Sequence, residues 1–173
     1  KDESEVSDDM TARNYTYNYD TDMFTSLWVA YPLYAASLNG SNKASWKYNP
    51  NIDESKQVNV IDSSYGVNLG SVDNTNYNST LEYYARGHQL PDADRKASAS
   101  KNSQTAYMTN LTPQIHNGFN NSVWKALEGA VRTVAEATDT VYVVTGAAFQ
   151  KIGEAEKAVT WITPQDDSKP CPV

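Results

Sequence analysis

One amphipathic helix limits what this chain can fold into. Over residues 120–137, Trp124, Leu127, Val131, Val134 and Ala135 recur at the i, i+3, i+7, i+10, i+11 spacing of a single helical face, with Asn121 or Ser122 placed to cap its start. The other patterned stretches have the period of strands. Residues 13–34, RNYTYNYDTDMFTSLWVAYPLY, alternate aromatic with polar and then turn apolar, which predicts two strands joined by a turn at Asp20 to Asp22. Leu27 to Tyr31 read as a buried strand ended by Pro32. After a break at Thr138 and Asp139, TVYVVTGAAF is a central-strand candidate closed by Gly146, and AVTWIT a last short strand.

At 173 residues, the chain is expected to be one domain over 13–173, preceded by an acidic, flexible arm at 1–12 with no hydrophobic period. Residues 39–80 are rich in Asn, Ser, Gly and Asp and predict long loops with at most short strands. Within them Trp46 is expected to pack on the core rather than face a ligand. No apolar run approaches the ~20 residues of a membrane helix, and the opening KDESEVSDDM reads as a mature or trimmed start. Cys171 is the one cysteine, so no disulfide closes within the chain.

A net charge of −7 argues, taken whole, against a nucleic-acid partner. The distribution reverses that inference. Residues 1–22 set seven carboxylates against Lys1 and Arg13, whereas residues 81–132 carry six Lys and Arg against four acids.

That mildly basic stretch also holds the candidate chemistry. Hydrolysing a phosphodiester needs an attacking water, a base for its proton, and positive charge for the phosphoryl oxygens. In YARGHQLPDADR, Arg86 and His88 are two apart, so on a strand both side chains share a face. Gly87 between them leaves the opposite face bare for close approach. Histidine suits the base because its ordinary pKa lies near neutral pH. Asp92 and Asp94 read as turn residues pairing with Arg95 rather than as metal ligands. His116 reads as a loop or supporting residue. Five N-x-[ST] matches, at Asn14, Asn39, Asn78, Asn110 and Asn120, reflect composition rather than glycosylation.

A second block, TNLTPQIHNGFNNSVWKALE, gives the first its meaning. Ala85-Arg86-Gly87-His88, then Asn110-Leu111-Thr112-Pro113-Gln114, then Asn120, Trp124 and Glu128 resemble the signature of the DNA/RNA non-specific endonucleases. The likeness spans roughly residues 13–163. It implies an α+β, ββα-metal (His-Me finger) fold with a largely antiparallel central sheet flanked by helices and long loops. It also implies a metal-dependent enzyme hydrolysing DNA and RNA phosphodiesters with little sequence preference. By the same resemblance His88 is the general base, Arg86 stabilises phosphoryl charge, Asn110 helps hold the site, and Asn120 is the direct protein ligand of Mg²⁺, for which Mn²⁺ can substitute. Glu128 orients water on the cation. Eight residues of helix rise about 12 Å, which by itself favours an outer-sphere place for Glu128 when Asn120 binds directly.

Two departures from the family pattern stand out. Ala85 occupies the position of the leading acid, and the basic residue some members carry before the loop tryptophan has only Lys43 or Lys47 as a replacement. Family domains also continue with further strands beyond a point like Val173, and the resemblance favours extracellular or periplasmic residence. The competing class is a non-catalytic surface module, binding glycan or protein on a decayed nuclease fold, favoured only by Ala85 and the acidic balance.

Overall fold

A computed structural model describes residues 13–60, 84–149, 161–162 and 169–172. The expected arm at 1–12, the loop segment 61–80 with Asn78, and most of AVTWIT lie outside these described residues.

The aromatic alternation of the opening forms strand β1, Thr16–Asp20, which pairs antiparallel with β2, Thr25–Leu33. Tyr15, Tyr17 and Tyr19 point inward in turn, and their rings join Val29, Tyr31, Leu33, Leu90 and Ala135 in the main core. Between the strands, the Asp20 carboxylate accepts from the backbone N–H groups of Asp22 and Met23, closing the expected turn. β2 runs through Pro32 rather than ending there. β1 pairs no further than Ala30, so Pro32 lies where that side of the ladder has finished. Leu27 and Trp28 are exposed, contrary to the buried strand expected from their hydropathy.

β2 is followed by a short helix α1, Ala35–Leu38. The next strand, β3 (Tyr84–His88), leads through helix α2 (Ala99–Thr105) to β4, Leu111–Ile115, and the two strands pair antiparallel. A π-helical segment, His116–Trp124, continues directly into α3, Lys125–Ala137. The helix therefore begins before residue 120, with no side-chain cap from Asn121 or Ser122 at either junction. β3, β4 and this helix form the expected ββα unit.

α3 sets Val131 and Ala135 against the core, while Leu127 and Val134 are exposed, so its buried stripe is narrower than the sequence predicts. β5, Val141–Gly146, was expected to be central. Among the described residues it instead ends the order β1-β2-β5, with Tyr142 83% exposed. A second cluster of Val58, Val60, Met108, Leu111 and Cys171 packs under the β3–β4 pair, where β6 (Trp161–Ile162) meets β7 (Cys171–Pro172). No helix among the described residues is long and apolar enough to cross a membrane.

Candidate active site

His88 is the last residue of β3, and the chain leaving it is clamped from behind by Asn110. The Asn110 carboxamide accepts from the Leu90 N–H (2.9 Å) and donates to the carbonyls of Leu90 (2.9 Å) and Thr105 (2.8 Å). Its own carbonyl accepts from the N–H of Gln89 at 2.9 Å. Asn110 is fully buried, so this is a brace and no place for a glycan.

Gly87 serves the same geometry on the face of β3 opposite His88. A Cβ there would collide with the side chain of Gln114, which lies across the glycine from β4. Gln114 then turns its Oε1 to the Asn120 side chain, accepting from Nδ2 at 2.7 Å. The close approach that Gly87 permits is thus made by Gln114. Because the amide nitrogen of Asn120 is held, its Oδ1 is the atom left to meet a cation or water. Gln114 stood in the sequence motif with no role assigned. The chemical signal was a carboxamide six residues before the expected ligand Asn120, whose two ends must be told apart.

His88, Asn120 and Glu128 come together on one cavity of about 300 Å³, with Asp92, Asn121, Lys125 and Arg132 also on its wall. Asn120 comes from the π-helical segment and Glu128 from the first turn of α3. The helix entry thereby brings both toward the end of β3. Ala85, where the family pattern has an acid, is buried and paired in register with Gln114. A carboxylate there would be desolvated.

Arg86 does not reach this cavity. It is 8% exposed, with Nε donating to the Val60 carbonyl at 2.7 Å and a terminal nitrogen to Asn59 Oδ1 at 2.8 Å. Its guanidinium carbon lies 5.1 Å from the Trp46 ring centre, and the His88 ring is 5.3 Å from the same indole. Arg86 and His88 do share a face, as their spacing predicts, but that face is covered by Trp46. The cationic side chains on the cavity wall are Arg132 and Lys125. Arg132 contacts Asp94 at 3.0 Å and Glu128 at 3.8 Å. Arg132 was legible as the i+4 partner of Glu128 on the helix.

Asp94 also accepts from the Tyr31 hydroxyl at 3.1 Å, and Asp92 pairs with Lys96. Arg95, expected to pair with them from the turn, acts on the Asp94 carboxylate by its charge and bonds the Asp94 backbone carbonyl at 2.9 Å. Arg95 also grips Asn14 and the Pro32 carbonyl.

The electrostatics fit a base beside a cation site. Desolvation holds the half-buried His88 imidazole down at about 4, with the Lys96 charge adding to the fall and Asp92 opposing it. The ring is thus neutral across the neutral range, its lone pair free but its affinity for a proton lowered by burial. Desolvation pushes Glu128 up to about 7; Arg132 opposes that rise and Asp94 reinforces it. Among the described residues no three His, Cys, Asp or Glu side chains gather as a metal cluster. One amide oxygen with water in the remaining positions suits Mg²⁺, which dehydrates reluctantly. The residues present fit the cation that the sequence resemblance implies.

Comparisons with known proteins bear on the family and the fold. The model of the family described as DNA/RNA non-specific endonuclease matches residues 2–160. Nuclease from Syncephalastrum racemosum is 30% identical over 149 residues, which covers 83% of this chain and 42% of that protein. Nuclease C1 of Cunninghamella echinulata var. echinulata is 38% identical over 78 residues, 42% of this chain and 31% of the relative. The chain thus spans less than half the length of either relative. A solved structure of the EndoG/EndoGI complex contains a chain that superposes with a TM-score of 0.67 at 23% identity, covering 91% of this chain and 61% of its own, and so shares the fold. With its ββα unit and the family match over most of its length, this chain belongs to the DNA/RNA non-specific endonuclease family.

Proposed function

We propose that this chain is a metal-dependent endonuclease hydrolysing the phosphodiester bonds of DNA and RNA with little sequence preference. The observation that carries the reading is the meeting of His88, Asn120 and Glu128 on one cavity, formed by the end of β3 and the entry of α3. His88, neutral at working pH, takes the proton from a water attacking in line with the leaving oxygen. An anionic phosphate entering the cavity raises the basicity of that imidazole, opposing the desolvation that lowers it. Mg²⁺, or Mn²⁺ in its place, held through Asn120 Oδ1 and otherwise by water facing Glu128, would supply positive charge at the phosphate oxygens.

Arg132, rather than Arg86, faces the phosphoryl group with a guanidinium already oriented by Asp94. Arg86 acts at one remove, through the indole of Trp46. Contacts to phosphate rather than to base edges account for low sequence preference. Extracellular or periplasmic residence belongs to the same proposal and is tested by fractionation of the producing cells.

Degradation of plasmid DNA and of RNA, with and without chelator, tests the function. Cutting of both in Mg²⁺, abolished by EDTA, is expected. Full cutting by a folded His88→Ala variant would overturn the mechanism.

A further inference from the structure

His88 stands between two cavities. The second, also about 300 Å³, is lined by Lys43, Ala44, Trp46, His88, Asp92, Lys96 and Ala106, and it shares His88 and Asp92 with the first. We infer that this second cavity is a nucleotide subsite, in which Trp46 stacks on the base next to the scissile phosphate and Lys43 contacts the adjoining backbone phosphate. The inference rests on the proposed nuclease function and assigns residues to a part of the site that chemistry at the phosphate does not use.

Trp46 is 42% exposed even though its ring rests against both Arg86 and His88. A large aromatic surface backed by Arg86 and His88 and left open in front is a stacking platform. It is sequence-tolerant because every base has a π-face. Of the two lysines flanking the indole, Lys47 is turned away, donating to the Ser103 hydroxyl at 2.5 Å and lying over the Tyr107 ring. Lys96 is committed to Asp92 and to the Asn42 carbonyl. Lys43 is exposed on the cavity wall and has no hydrogen bond or ion pair among the described residues. It is the cation there available to a phosphate. A strand with one phosphate beside His88 and Asn120 needs room for its neighbouring nucleotide, and the cavity across His88 supplies it.

The experiment uses a short labelled oligonucleotide, held uncut in EDTA for binding and cut in Mg²⁺ for kinetics, together with versions carrying one abasic position at each site in turn. For the wild-type chain, one abasic position is expected to weaken binding about tenfold, the loss of a single base–aromatic stack. Trp46→Ala should raise Kd and KM by a similar factor on the intact strand and remove the sensitivity to that abasic position. Trp46→Phe should keep most of both, and if the alanine variant fails to fold, the abasic series on the wild-type chain decides the matter. Lys43→Gln should weaken all sequences alike and reduce the salt slope of binding by about one.

Binding that neither the abasic series nor Trp46→Ala alters overturns the subsite while leaving the nuclease reading intact. So does a fall in kcat at unchanged KM, which would make Trp46 only a support for His88. Failure of the wild-type chain to bind oligonucleotide at all overturns both.

Discussion

The two faces of β3 meet opposite requirements. Behind the strand, Asn110 and Gln114 are neutral carboxamides, the first bonded at both ends and the second laid across a glycine, and Asn110 is wholly buried. In front, His88, Glu128, Arg132 and the indole of Trp46 stand around open cavities with charges or surfaces still able to meet a ligand. The contrast separates residues that fix positions from residues that meet substrate, and it predicts different failures on the two sides. The largest effect lies in front: His88→Ala should lower kcat by ~10²–10⁴-fold, the usual worth of a positioned proton acceptor, with little change in thermal stability. A comparable loss of stability would place His88 with the brace instead.

Behind the strand the order reverses. Asn110→Ala leaves the Leu90 N–H and the Leu90 and Thr105 carbonyls without their partner in a buried setting. The expected cost is on the order of 3 kcal/mol of stability, measured by urea unfolding, with activity falling because the segment after His88 loosens. Gln114→Ala falls between the two. It removes the acceptor that holds Asn120 Nδ2, so the amide can turn its nitrogen toward the cation position. Mg²⁺ affinity, followed by titration, should weaken ~10-fold or more while stability changes little. Unaltered Mg²⁺ affinity in that variant would show that Asn120 is oriented by something else.

The sequence exposed the front of this contrast better than the back. His88, Asn120 and Glu128 were singled out through the family resemblance, not by residue type or spacing alone, and the fold brings them onto one cavity. Arg86 was misplaced because period-two alternation gives a face and not what covers it; Trp46, forty residues earlier, comes from a loop. Gln114 was unassigned because its role depends on the collision a Cβ at Gly87 would cause, which exists only once β3 and β4 are paired. The β1–β2 hairpin was legible from tyrosine alternation and an Asp turn. The place of β5 was not, because an apolar β-branched run reads the same in the middle of a sheet as at its end.

The smallest expected effect tests whether Glu128 belongs to the front or to the brace. Its carboxyl is 18% exposed and, by desolvation, titrates at about 7 in the folded chain, above the ordinary carboxylate range it has when unfolded. Between those two values the folded state binds more protons than the unfolded one. This group's stabilising contribution is therefore full below the ordinary carboxylate pKa and is lost as pH rises through about 7. In chelator, the Tm difference between wild type and Glu128→Gln should consequently shift against the wild type by a few degrees from pH 5 to pH 8. In Mg²⁺ the cation's charge lowers the carboxyl pKa, and the pH-dependent difference should shrink. A pH-dependent difference unchanged by Mg²⁺ would mean that Glu128 does not sense the cation site. It would then be a buried acid serving Arg132 alone, on the structural side of the comparison.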